Sequence, residues 1–368
     1  MKTRTLLALV TVFVTAIPLS SVDAYDLSEM FSVGGVLAGV YQYQSLDRDG
    51  GGTDEGGGAI PLQIEASLRP TDVDEVFVKF GFAADNALND QTPFAISPWT
   101  ADLEDDVKDI NGRNRDYLLT AWYKRVIKLG ADSELGLSGG LIDATDYLDD
   151  NAYANDEYTQ FMNAALKNGP NAFLPSFDIG VAVEADIGRF TLKGVWMNVG
   201  ENDDGNNFNF FGLQLGYTVN TALGEGTYRI FGVGATDEFL DPTGTSKESR
   251  AALGLSFNQE LGTIVGAFVR LVWQSDDAAV DFEALYSGGV NISGKLWRRA
   301  QDNIGIGYAY LEGGNTGIDH TQVFEVYARF LLNDYLAVTA DIQYMDEALS
   351  DGDGPKGWIP GIRLTAEF

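Results

Sequence analysis

Apolar and polar residues alternate with a period of two in one segment after another of this chain. After the first two dozen residues, no apolar run approaches the ~18 residues of a membrane helix. The closing run, W-I-P-G-I-R-L-T-A-E-F, shows the pattern plainly. Trp358, Pro360, Ile362, Leu364, Ala366 and Phe368 share one face, and Arg363, Thr365 and Glu367 share the other. A strand with one apolar face must bury it in a dry core or in lipid. Lys79, Arg270, Asp341 and Arg363 stand in mid-strand on the opposite faces, where a dry core would leave them unpaired. That disfavours a soluble sandwich or β-helix. Aromatic residues at strand ends (Trp122, Tyr123, Trp196, Trp273, Tyr308, Tyr310, Tyr344, Trp358) suit the two interfaces of a bilayer. The class that satisfies all of this is all-β: a closed transmembrane antiparallel β-barrel.

The alternating segments number about sixteen at the length of a tilted membrane strand. They are predicted near residues 32–44, 59–68, 75–83, 115–124, 133–142, 176–186, 190–199, 208–219, 228–235, 250–257, 263–274, 280–292, 303–311, 321–332, 336–345 and 358–368. An even number puts both ends on one side. Short connections such as 187–189 and 333–335 alternate with longer ones, the longest being 84–114 and 143–175. Long loops belong outside the cell and short turns in the periplasm. No linker divides the chain, so a single barrel is expected over 25–368.

Met1-Lys2-Thr3-Arg4, the apolar run from Leu6 to Ile17 and the small residues before Tyr25 are the three parts of a secretory signal peptide, expected over 1–24. The destination expected is the outer membrane of a Gram-negative bacterium. The formal net charge of −30 excludes nucleic acid as a natural partner. Cysteine is absent and His320 is the lone histidine, so thiolate and histidine-rich metal centres are excluded. A Ser-His-Asp triad has one possible base and no adjacent signature. No catalysis, cofactor or metal is expected.

Within the loop 143–175, Tyr158, Phe161, Met162, Ala165 and Leu166 recur at helical spacing, which predicts a short amphipathic helix over 155–166 capped by Asn155. Its apolar face needs a surface, either the inner barrel wall, which would narrow a pore, or the barrel mouth. The stretch Asp149-Asp150-Asn151-Ala152-Tyr153-Ala154-Asn155-Asp156-Glu157 with Gln160-Phe161-Met162-Asn163 resembles the OprB-type carbohydrate-selective porins. So do Leu336 to Tyr344 and the terminal Gly361-Ile362-Arg363-Leu364 with Phe368. Order and spacing fit from about Gly140 to the end. The chain departs from that pattern at Ala340, where the family usually has proline, and in its acidity. The resemblance implies a sixteen-stranded outer-membrane channel with an inward constriction and a preference for sugars.

Sugar passage asks for polar groups that meet hydroxyls and aromatic faces that meet ring C–H groups, each held weakly. Lys79, Phe268, Arg270, Glu283, Glu325, Arg329, Asp341 and Arg363 are the expected pore-lining set. Asp149, Asp150, Tyr153, Asn155, Glu157, Tyr158 and Phe161 are expected on the constriction loop. The same charges also suit a plainer task, hydrating the lumen and pinning the loop by ion pairs. Acidic loops suit solvation, attraction of cations, or divalent bridging to lipopolysaccharide. The function expected is passive diffusion of small hydrophilic solutes, carbohydrates first. A general or cation-preferring pore and a closed structural barrel are the alternatives. Membrane lipid and lipopolysaccharide, the barrel-assembly machinery acting on the last strand, and a homotrimer are the expected partners.

Overall fold

The computed structural model describes residues 25–47 and 53–368; the expected signal segment lies outside the described residues. The strands are β1 (Tyr25–Ser28), β2 (Phe31–Leu46), β3 (Glu55–Ala59), β4 (Leu62–Thr71), β5 (Asp74–Phe82), β6 (Leu118–Gly130), β7 (Ser133–Ile142), β8 (Asp178–Ile187) and β9 (Phe190–Val199). They continue as β10 (Phe208–Thr221), β11 (Gly224–Leu240), β12 (Lys247–Leu261), β13 (Val265–Gln274), β14 (Phe282–Ser293), β15 (Asn303–Gly313), β16 (Ile318–Asn333), β17 (Leu336–Leu349) and β18 (Gly352–Glu367). Each pairs antiparallel with the next except β3 and β4, which both pair with β2, and β18 returns to β2, with Ile362 opposite Tyr41 and Arg363 opposite Val40. β1 is a short flap on the start of β2. β3 and β4 are two halves of one spanning strand, broken at Ile60-Pro61 because proline has no N–H for the ladder. The closed barrel therefore has 16 strands, as the alternation predicts.

The seam is finished by the last residue. Phe368 O accepts from Gly35 N at 2.8 Å and Phe368 N donates to Gly35 O at 3.1 Å. A Cβ on Gly35 would lie 2.3 Å from Gln63 O and 3.0 Å from the Phe368 ring, so only glycine lets these backbones approach. Along β18, Trp358, Ile362 and Leu364 are exposed on the outer face while Ile359, Arg363 and Thr365 are buried inside. Outward aromatics form two belts. The Tyr344–Trp358 and Trp273–Tyr286 pairs stand toward the long loops, and the Phe190–Tyr217 pair with Tyr335 toward the short turns.

Two local readings are corrected. Trp122 is opposite Phe77 and stacks on it inside the barrel, ring centroids 4.9 Å apart, instead of joining a belt. In the segment 280–292 strict alternation puts Val280 and Phe282 on the outer face with Tyr286, but a bulge between Phe282 and Ala284 shifts the pleat and both are buried on the inner side. Strands also run further toward the long loops than the alternation indicates. β11 extends to Leu240 through Thr236, Asp237 and Glu238, which are polar on both faces because that part of the ladder stands above the apolar band.

Ile362, 53 % exposed in the middle of β18, tests the lipid-facing assignment. Ile362→Arg should destabilise the barrel by about 2–4 kcal/mol, the cost of a cation near the bilayer midplane. Glu248→Arg, beyond the band, should cost under ~1 kcal/mol. Denaturant titration of protein refolded in vesicles reads both.

Candidate functional site: a conduit narrowed by two inward loops

A barrel of this size leaves a lumen that side chains alone do not fill. Two loops fold into it. The first, 143–177 between β7 and β8, is the one the sequence points to. It runs along the inner wall from β9 to β18, and the wall meets its backbone as well as its side chains. Arg270 Nε donates to Asp149 Oδ1 at 2.7 Å, and its terminal nitrogens donate to the carbonyls of Asp149, Ala154 and Leu166 at 3.2, 2.8 and 3.4 Å. Arg363 donates to the carbonyls of Glu157 and Gln160 at 2.6 and 2.9 Å. Glu325 accepts from the amides of Met162 and Asn163 at 2.6 and 3.0 Å. Asp150 lies 3.0 Å from Arg229 and 3.7 Å from Lys193.

Side chains of the loop fit notches in the wall. A Cβ at Gly266 would stand 2.1 Å from the Tyr153 ring, and one at Gly307 2.8 Å from Phe161 and 2.9 Å from Leu166. Phe161 packs between Phe268 and Tyr327, centroids 5.6 and 5.0 Å away. The residues at helical spacing are all buried, yet the helix is one turn, α2 (Ala164–Lys167), capped by Asn163. This corrects the helix predicted over 155–166. Asp156 takes the amides of Tyr158 and Thr159, Gln160 takes those of Asn155 and Asp156, and Glu325 takes the next pair. Those are the groups a helix would spend on itself.

The expected pore-lining set accordingly divides. Arg270, Glu325 and Arg363 are fully buried, and Phe268 and Asp341 nearly so: they face inward but lie beneath the loop instead of on the open wall. Asp341 accepts from Gln343 at 3.2 Å. Arg329 stands behind Glu367, 2.7 Å away. Glu283 sits at the bulge of β14, away from the conduit, its carbonyl 3.4 Å from Asn171 Nδ2. Lys79 alone of the set lines the cavity, 3.1 Å from Glu65. Of the loop residues, Asp149 and Phe161 are locked to the wall, Tyr153 fills its notch, and Asp150, Asn155, Glu157 and Tyr158 border the cavity.

The second loop, 83–117 between β5 and β6, contains the connection 84–114 expected outside the cell, and it folds inward instead. Pro98 O accepts from Gln42 and Gln343 at 2.8 and 3.0 Å, and Trp99 is fully buried against Ala38, Tyr158 and Met162. The two loops are joined by Thr100 N to Met162 O at 2.8 Å and Ala164 N to Ser97 O at 3.0 Å. The signal for this was present in Phe94, Ile96, Trp99 and Leu103, too apolar a set for a solvated loop.

Between these loops and the wall formed by β2, β4 and β5 lies a cavity of about 640 Å³. The second loop gives it Asp102 and Asp106, with α1 (Leu103–Asp106) between them. The first gives Asp143, Asp146, Asp150, Asp156 and Glu157, and the wall gives Glu65 and Glu367. Arg69, Lys79 and Lys167 are the basic groups among its lining. Burial pushes the Asp106 carboxyl up to about 7, with Asp102, Asp143 and Asp105 adding to the shift and Lys167 opposing it. Burial likewise raises Asp102 to about 6, and Asp146 to about 7 against the pull of Lys79. For Lys167 burial acts the other way, but Glu157 and Asp143 outweigh it and hold the ammonium above its ordinary value.

A closed barrel with an apolar outer band and a polar conduit narrowed by inward loops is a porin-type outer-membrane channel. Residues 100–368 match the carbohydrate-selective porin, OprB family, and the chain belongs to that family. An uncharacterized protein of Aquifex aeolicus (strain VF5) is 28% identical over 300 residues, covering 80% of this chain and 84% of that one. Among solved structures, the high-pH form of Pseudomonas putida OprB superposes with a TM-score of 0.73 at 14% identity, over 92% of this chain and 94% of that chain. Pseudomonas aeruginosa OccK11 (OpdR) does so with a TM-score of 0.54 at 10% identity, over 92% and 96%. At those identities the likeness is one of fold.

Removing one side of the buried Arg270–Asp149 pair leaves an uncompensated charge, which costs about 3–5 kcal/mol. Arg270→Met should therefore detach the loop while the barrel still forms. The expected result is a larger and noisier single-channel conductance, with the heat-dependent gel shift of a folded barrel retained. An unchanged conductance would mean that the remaining contacts hold the loop alone.

Proposed function

We propose that this channel conducts carbohydrates by passive diffusion and that the residues bordering the cavity set which ones pass. The observation that carries the reading is the composition of the cavity wall. Gln63, Glu65, Lys79, Asn155 and Asn168 offer donors and acceptors, while Tyr158, Phe173 and Phe177 offer aromatic surface. This is the mixture that meets hydroxyls and ring C–H groups with weak, separable contacts. The volume falls within the range of small-molecule sites, ~300–1,000 Å³. In this reading the covered residues Arg270, Glu325, Arg363 and Asp341 hold the constriction, and solute meets the groups of the loops and of β4 and β5. The channel carries out no bond chemistry.

The same proposal includes loss of residues 1–24 on export, insertion by the barrel-assembly machinery through β18, contact with lipopolysaccharide, and a homotrimer. Intact-mass measurement of membrane-extracted protein and its size in mild detergent check the first and the last.

Liposome swelling with neutral sugars of graded size beside amino acids of equal mass tests the central claim. Pentoses and hexoses should enter quickly, trisaccharides at least tenfold more slowly, and a hexose faster than an amino acid of its mass. Equal rates at equal mass would reduce the protein to a general diffusion pore. Absence of conductance in planar bilayers would make it a closed barrel. Unaltered oligosaccharides on both sides are expected; cleaved ones would show catalysis.

A further inference from the structure

The conduit has a surplus of negative charge that its own bases do not cancel. Lys79 is engaged by Glu65 at 3.1 Å, Lys167 by Glu157 at 3.3 Å, and Arg69 by Glu75 at 3.1 Å. No salt bridge or side-chain hydrogen bond holds Asp102 or Asp106 among the described residues, and Asp102 does not cap α1. The surplus of acceptors extends to a neutral group. Asn168 Oδ1, a buried oxygen of a residue in the same wall, has no donor. The position of the two aspartates is fixed by the joint between the loops. Thr100 is bonded to Met162 and Ala164 to Ser97, which brings Asp102 of one loop and Lys167 with Glu157 of the other to the same cavity.

We propose that Asp102 and Asp106 form a charge filter, so that among sugar-sized solutes the channel passes those bearing an ammonium group first, neutral ones next and carboxylated ones last. The inference rests on the carbohydrate reading of the same conduit and names the solute class within it. In a cavity with low-dielectric walls, a fixed surplus of charge raises the local concentration of counter-ions. The solute's ammonium supplies the partner that neither Lys79 nor Lys167 supplies, and its hydroxyls meet Gln63, Asn155 and Asn168.

The filter titrates. Asp106 faces Asp102, Asp105, Asp143 and Lys167; Asp102 faces Asp105, Glu157 and Lys167; and Asp146 faces Lys79, Asp143, Glu65 and Lys167. These carboxyls lie at about 6 to 7, above ordinary carboxylates, so they are charged above that range and neutral below it. Cation preference should therefore be strongest near ~pH 8 and fall by ~pH 5.5, before exposed carboxylates near ~4 lose their charge.

The test uses the full-length protein in planar bilayers under a potassium chloride gradient, with reversal potentials at ~pH 8 and ~pH 5.5. The wild-type cation-to-anion permeability ratio should fall about fivefold between the two, the order expected for a pair of fixed charges beside the path in screened solvent. D102N/D106N should lower the ratio about fivefold at ~pH 8 and reduce the pH response to the part that Asp146 carries; Asp319→Asn, at an exposed position, should do neither. In liposomes at ~pH 7, glucosamine should enter before N-acetylglucosamine and glucuronate last. Anion preference, a wild-type ratio unmoved between the two pH values, or equal rates for the three sugars would overturn the filter. Where the double variant fails to fold, D102N and D106N made singly decide the matter, each expected to lower the ratio at ~pH 8 and to leave it unmoved if the filter lies elsewhere. Exclusion of glucose by a conducting channel would overturn the carbohydrate reading, while the reversal potentials would still judge the filter.

Discussion

Everything in this molecule follows from the need of backbone N–H and C=O groups for partners where water is scarce. In hydrocarbon that need permits helices or closed sheets, and among the described residues no helix is long and apolar enough to cross. A sheet spanning a bilayer must then return to its first strand, since an open edge would leave a row of unpaired groups. The return is made by β18 on β2 and completed at Phe368 and Gly35, whose reciprocal bonds at 2.8 and 3.1 Å require a residue without a side chain. Once the cylinder is closed, outward side chains need only be apolar. The inner ones are left to do the rest.

The same need governs the inside. A loop brought into the lumen without regular structure carries its own unpaired backbone groups, and water cannot reach all of them. Arg270, Arg363 and Glu325 meet it there, the two arginines on five carbonyls and the glutamate on two amides. Arginine suits this because its fork presents several donors in fixed directions. Loop conformation is thus written partly in the wall, which is why the periodicity of 155–166 identifies what is buried but not the shape in which it is buried.

That contrast marks what a sequence of this kind discloses. The barrel was legible because membrane strands obey one local rule, and β7 and β9 start and end where the alternation places them. Where the rule lapses, at the bulge before Ala284 or in the polar upper reaches of β11, the reading slips with it. Inward-facing charges in mid-strand were legible as a class, but whether one is covered depends on a loop more than a hundred residues away, as between Arg270 and Asp149. No local pattern carries that distance. The acidic run Glu104-Asp105-Asp106 carries no local sign of its place at the lumen, because the groups that Asp106 meets there come from other elements.

The charged residues of the interior fall into two groups by burial, and the division explains how a narrow conduit can be both firm and permissive. Arg270 with Asp149, and Glu325 and Arg363 with the loop backbone, are removed from water and engaged by the loop, with Arg363 Nε alone of its nitrogens lacking an acceptor, so they hold geometry and are closed to a solute. The half-buried groups on the cavity side are the opposite. Asp102 and Asp106 lie where burial makes their charge costly and where Lys167, the nearest base, is already committed to Glu157. A group in that position gains more from a passing cation than an exposed carboxylate does, because water competes less for it. It also does not hold the cation tightly, since among the described residues no three acids converge on one point. Weak, charge-biased contact beside a rigid frame is the condition for selecting a solute and still letting it go.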